Sequence, residues 1–107
     1  MKLVRDRIPE LAASNRQPAS FHLADDTEYG RRLRDKLLEE AHEAAAATTP
    51  AGLLEELGDV LQVLYALATQ AGYSAAEVEC ARARKARTHG AYTYAVIWHD
   101  PAGREEA

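Results

Sequence analysis

Four carboxylates pose the chemical question. Glu40 and Glu43 stand three residues apart, as do Glu56 and Asp59, and the two pairs flank the segment Thr48-Thr49-Pro50-Ala51-Gly52. Two carboxylates about 4 Å apart repel by ~4 kcal/mol at an effective dielectric of 20. Four brought together must therefore take up protons or hold a cation. An all-oxygen set, with neither histidine nor thiol, suits a hard ion: Mg²⁺ first, Mn²⁺ second. Taken singly, each acid could be an ordinary surface residue on a charged helix, as most glutamates are. Taken as two pairs at matched distances from one turn, they read as a metal site.

The elements that must position them are two amphipathic helices, expected over 27–47 and 51–71. A short connection between helices favours an antiparallel hairpin, which brings the acidic pairs level. With about 100° per residue, Leu33, Leu37, Ala44 and Ala47 form the core stripe of the first helix. Glu40 falls within that stripe and Glu43 at its edge, while Glu39 and His42 point outward. On the second helix the stripe is expected at Leu53, Leu57, Val60, Leu64, Leu67 and Ala71. Glu56 lies beside it between Val60 and Val63, with Asp59 flanking and Glu55 opposite.

The remaining chain supplies cations and caps. Residues 1–8 carry Lys2, Arg5, Asp6 and Arg7, either an anion-binding arm or a frayed terminus with surface charge. Pro9 suits the first turn of a short helix over 9–14. Asp25, Asp26 or Thr27 can cap the first long helix. Lys36, one turn before Glu40, can pair with it or meet a phosphate. Gly72 ends the second helix, and Ser74-x-x-Glu77 opens a third over 75–89 as a capping box. That helix closes with Arg82, Arg84, Lys85, Arg87 and His89 before Gly90. These basic residues complement the helix dipole, and Lys85 with Arg87 could also grip a polyphosphate. Residues 19–24 and 91–100 have strand-like patterns and are expected to pair as a small two-stranded sheet. Cys80 is read as a packing residue.

Composition bounds the class. A chain of 107 residues with net charge −4 is expected to form one domain, with no general nucleic-acid footprint. One cysteine excludes an intramolecular disulfide framework and fits a reducing compartment. No apolar run approaches the ~20 residues of a membrane span, so a cytoplasmic protein is expected. Glu39-x-x-His42 has the di-iron spacing of ferritin-like bundles, but both residues lie off the apolar stripe and no second histidine matches. That site is rejected.

Glu40-x-x-Glu43 followed by Glu56-x-x-Asp59, within "EELGDVLQVLYAL", resembles the all-α nucleoside triphosphate pyrophosphohydrolases, the MazG-like and phosphoribosyl-ATP pyrophosphohydrolase-like proteins. The opening "KLVRDRIPEL" and closing "ARKARTHGAYTYAVIW" are similar to the small single-domain branch, so the likeness covers residues 2–98. It implies a helical core completed by oligomerisation, with Mg²⁺ on Glu40, Glu43, Glu56 and Asp59. It also implies hydrolysis between the α- and β-phosphates to a nucleoside monophosphate and pyrophosphate. Glu39 stands where the family often has an acid, and Lys85 and Arg87 match its basic residues after the third helix. "RTHGAY" departs from the arginine-glycine-rich turn expected there.

The chemistry of the residues agrees. Mg²⁺ supplies Lewis-acid stabilisation and acidifies a bound water, and Glu43 is the candidate to orient or deprotonate that water. Lys85, Arg87 and the arm (Lys2, Arg5, Arg7) with Lys36 would bind the nucleotide's phosphates and neutralise the leaving pyrophosphate. A dimer pairing two hairpins into a four-helix bundle would bury the stripes. The substrate is expected to be a non-standard or surplus nucleoside triphosphate, a house-cleaning role, or phosphoribosyl-ATP. The competing reading is a non-catalytic helical dimerisation or regulatory module that binds nucleotide or Mg²⁺ without turnover.

Overall fold

A computed structural model describes residues 1–99. Four helices follow one another: α1 (Ile8–Ser14), α2 (Asp26–Ala46), α3 (Pro50–Gln70) and α4 (Ala75–His89). The chain divides into two compact units, Met1–Ala75 and a second beginning at Ala76.

In the first unit α2 and α3 pack as a hairpin. Its boundaries are set by local chemistry. Asp25 is the cap that α2 uses, accepting a 2.8 Å hydrogen bond from the Glu28 amide, one of the orphan donors of a helix start. The turn ends where Thr49 accepts from the Gly52 amide at 3.0 Å, with Pro50 at the first helical turn. A Cβ on Gly52 would meet the Thr49 hydroxyl at 2.9 Å, so the cap needs glycine there. At the far end Gly72 takes φ +90°. The Tyr73 amide donates to Ala68 O and the Gly72 amide to Thr69 O, a complete Schellman closure.

The first unit buries Leu33 of α2, 2% exposed, with Val63 of α3 and Ala12 of α1. Full burial of a leucine side chain contributes ~2 kcal/mol. Gly30 is a close-approach position: a Cβ there would touch the Gln70 amide at 3.0 Å, which itself donates to Asp26 O at 2.9 Å.

Three expectations are corrected. The face that α3 turns inward runs through Gly52, Glu56, Asp59, Val60, Val63, Leu67 and Gln70. Leu53, Leu57 and Leu64 stay 40%, 51% and 39% exposed. Periodicity located the most apolar arc of α3, but the contact with α2 uses the arc beside it.

Among the described residues there is also no strand. Segment 19–24 leaves Leu23 99% exposed and Phe21 half-exposed, so alternation here buries no face. Residues 91–99 likewise form no strand, and their aromatic and β-branched side chains are exposed; a lone two-stranded ribbon is marginal in water. Residue 100 and the tail lie outside the described residues.

Cys80, third, is exposed rather than packed. On α4 only Ala83 and Ala86 are partly buried, because basic residues interrupt any apolar stripe. Among the described residues no helix is long and apolar enough to cross a membrane.

Candidate metal and nucleotide site

The hairpin brings three of the four acids together. Glu40, Glu43 and Glu56 each place a carboxylate oxygen within 4.8 Å of the other two. Glu40 and Glu43 share a face of α2 because residues three apart are neighbours on a helix, and Glu56 meets them from the inward face of α3. Two of the oxygens, Glu40 Oε2 and Glu56 Oε2, are buried and have no hydrogen-bond partner. Buried polar atoms without partners are rare and call for an explanation.

Electrostatics point the same way. Burial, then the Glu43 charge, raise the Glu40 carboxyl above its ordinary value, and Lys36 offsets only part of this. Burial raises Glu56 too, followed by the charges of Glu43 and Asp59. Carboxylates gathered this closely repel one another and favour the uptake of a proton or a cation. An all-carboxylate donor set with orphaned buried oxygens fits a hard divalent ion.

Asp59 does not join the group. It accepts a 2.6 Å bond from Arg5 Nη2. Lys36, its side chain largely buried, pairs with Glu39 at 3.2 Å and Glu40 at 3.5 Å. Glu39 is thus half-exposed and paired with Lys36, while His42 is exposed as its angle requires.

A cleft of about 430 Å³ adjoins the cluster, lined by Arg5, Asp6 and Arg7 of the arm, by Tyr29, Leu33, Lys36 and Glu40 of α2, and by Asp59, Gln62, Val63 and Ala66 of α3, with Leu3 and Val4 completing it. The arm is therefore a wall of a pocket and not a frayed end. Lys2 lines a small separate recess with Met1, Arg32 and Glu39. Lys85 and Arg87 stand on α4 in the second unit and are exposed. Arg82 there pairs with Glu79 at 2.6 Å.

Sequence reasoning missed Tyr29 and Gln62. The signal was present: Tyr29, Leu33, Lys36 and Glu40 recur at helical spacing, so the face that carries an inward glutamate also carries Tyr29.

A long helical hairpin with inward carboxylates beside a cation-lined cleft defines a class of all-α, acid-lined domains suited to phosphate chemistry. A family model for phosphoribosyl-ATP pyrophosphohydrolase matches residues 6–94. The chain belongs to that family, as the resemblance of its motifs implied, and membership makes it a pyrophosphohydrolase by class. Neither the curated proteins nor the solved structures gave a match.

Proposed function

We propose that this protein hydrolyses a nucleoside triphosphate, or phosphoribosyl-ATP, between the α- and β-phosphates, giving a monophosphate and pyrophosphate. One observation carries the reading: three carboxylates converge with two orphaned buried oxygens beside a cleft lined by Arg5, Arg7 and Lys36. Glu40, Glu43 and Glu56 would hold Mg²⁺, or Mn²⁺ in its place, with Asp59 as the fourth acid. When bound, the ion supplies Lewis-acid stabilisation of phosphate oxygens and a water acidified toward neutrality.

The chain's own residues do the rest. Glu43 is the most exposed of the three converging acids, so it is the one placed to orient a water and accept its proton. Arg5, Arg7 and Lys36 would hold the phosphates and balance charge developing on the leaving pyrophosphate. Lys2, Lys85 and Arg87 are proposed as further phosphate contacts, on the family resemblance of their motifs. A second copy of the chain is proposed to cover the half-exposed leucines of α3, completing a four-helix bundle.

The test is a panel of nucleoside triphosphates and phosphoribosyl-ATP with Mg²⁺, assayed for released pyrophosphate. The wild-type chain is expected to turn over at least one of them. Glu56→Gln is expected to lose turnover while keeping its helical circular dichroism. Full turnover by Glu56→Gln overturns the site. No turnover by the wild type on any member favours a binding module instead.

A further inference from the structure

Spacing puts Asp59 beside the acid cluster, and one bond keeps it out. It lies three residues after Glu56 on α3, and residues three apart are neighbours on a helix. It lines the same cleft as Glu40. Yet its carboxylate stands outside the group formed by Glu40, Glu43 and Glu56, and Arg5 Nη2 donates to its Oδ1 at 2.6 Å. A charge-assisted bond of this length fixes where the carboxylate points.

The fastenings of the arm show which part of Arg5 can move. Upstream, the Met1 carbonyl accepts from Arg32 Nη1 at 3.3 Å, and Leu3 and Val4 are partly buried where they line the cleft. Downstream, the Ile8 amide donates to Arg5 O at 3.0 Å, and α1 buries Ala12. The backbone is held on both sides of Arg5. Its side chain is the loose part, 57% exposed, on an Asp59 side chain that is 34% exposed. An exposed pair of this kind shifts an equilibrium by no more than about fivefold, so it is cheaply broken.

A divalent ion among the three converging acids and a guanidinium on Asp59 repel each other. The ion gains from a fourth carboxylate, and Arg5 holds that carboxylate. We propose that Arg5 is a built-in competitor for Asp59: it keeps the carboxylate while no ion is bound and yields it when a divalent ion binds. The freed guanidinium, on its fastened backbone, then joins Arg7 and Lys36 in the same cleft. The assignment rests on the metal site under the proposed function and adds the order in which the cleft's charges are used, ion first and phosphate second. Because the two cations share one carboxylate, each weakens the other's hold on it by the same factor.

The experiment uses the full chain, stripped with chelator, and needs no turnover. Mg²⁺ affinity is measured by calorimetry, and the Arg5 Nε–H signal is followed by NMR, assigned by its loss in Arg5→Gln. Arg5→Gln is expected to bind Mg²⁺ about two- to fivefold more tightly, the weight of an exposed ion pair. Arg7→Gln removes an equal charge from the same arm, one that pairs instead with Glu10 at 3.3 Å, and should change the affinity less. Saturating Mg²⁺ should move the Arg5 Nε–H signal of wild type toward the position it takes in metal-free Asp59→Asn, where the pair is broken without any ion.

An affinity unchanged or lowered in Arg5→Gln, an equal gain in Arg7→Gln, or an Arg5 signal that saturating Mg²⁺ leaves in place each overturn the competition. Absence of Mg²⁺ binding by wild type and by Arg5→Gln ends the metal site and the competition together. The hydrolysis reading fails separately, through the pyrophosphate assay. Mg²⁺ that releases Arg5 in a chain producing no pyrophosphate supports the competition and ends the catalytic reading.

Discussion

Arg5 Nη2 donates to Asp59 Oδ1 at 2.6 Å, tying the N-terminal arm to α3 at the mouth of the acid cluster. The bond occupies the one acid of the four that stands apart, and it places a guanidinium where phosphates are proposed to lie. Both side chains are substantially exposed, 57% and 34%, so solvent screens the pair and its removal should cost less than about 1 kcal/mol of stability. Arg5→Ala is expected to lower kcat/KM for the best nucleotide by roughly 10- to 100-fold, in the range of a lost transition-state donor. Arg5→Lys should recover part of this, since it keeps charge but not the planar fork. Thermal unfolding beside pyrophosphate release checks both. A stability loss of several kcal/mol with kcat/KM unchanged would make the pair a strut.

Metal binding should stabilise the fold. An ion that binds only the folded chain contributes RT ln(1 + [L]/Kd), ~2.7 kcal/mol at a hundred times Kd. Mg²⁺ is therefore expected to raise the melting temperature of wild type in a saturable way, reversed by chelator. Glu56→Gln should abolish the rise and, without metal, melt no lower than wild type, because it removes a charge from a crowded group. A Mg²⁺ effect of equal size in both proteins would place the ion elsewhere.

Acid titration should carry the cluster's signature. Glu40 and Glu56 are both raised above their ordinary value of 4.5, chiefly by burial and then by Glu43. Between the unfolded and folded values the native chain binds more protons than the unfolded one. Stability of the metal-free protein must therefore fall as pH rises from about 4.5 through that window. Glu28 runs the other way. The His22 hydrogen bond, foremost, holds it low, so its contribution is present above the ordinary value and lost as pH falls through the folded one. Urea midpoints across pH 4–8 should decline on the alkaline side for wild type and flatten for Glu40→Gln with Glu56→Gln. An unchanged slope in that double variant would place the coupled protons elsewhere.

The helices and the hairpin were legible because their signals are local: Asp25 before α2, Thr49-Pro50 before α3, and glycines at 72 and 90. The convergence of Glu40, Glu43 and Glu56 followed from spacing and one antiparallel turn. Asp59 at Arg5 was not legible, since a bond across fifty-four positions leaves no local trace. Leu53, Leu57 and Leu64 misled for a different reason. A stripe's direction on its own helix says where apolar surface lies but not which neighbour covers it. The strand patterns at 19–24 and 91–99 are half-signals of the same kind, because alternation becomes a strand only beside a partner and a face to bury.

The exposed leucines of α3 lead to the last prediction. Leu54 is 72% exposed, and Leu53, Leu57, Leu61, Leu64 and Tyr65 are each about half-exposed. They follow helical spacing and so make a continuous apolar band, of the kind that marks an interaction surface. A stable dimer of ordinary size buries about 800 Å² per partner, and a band several turns long with its flanks can supply that. Sedimentation of wild type should give a species near twice 11.7 kDa. Leu57→Glu with Leu61→Glu would place four charges in the seam of such a dimer, two from each chain, and should give a folded 11.7 kDa species. Leu54→Glu alone, at the most exposed position, should weaken association less. A monomeric wild type at tens of micromolar, or a double variant that stays dimeric, would assign this band to another partner.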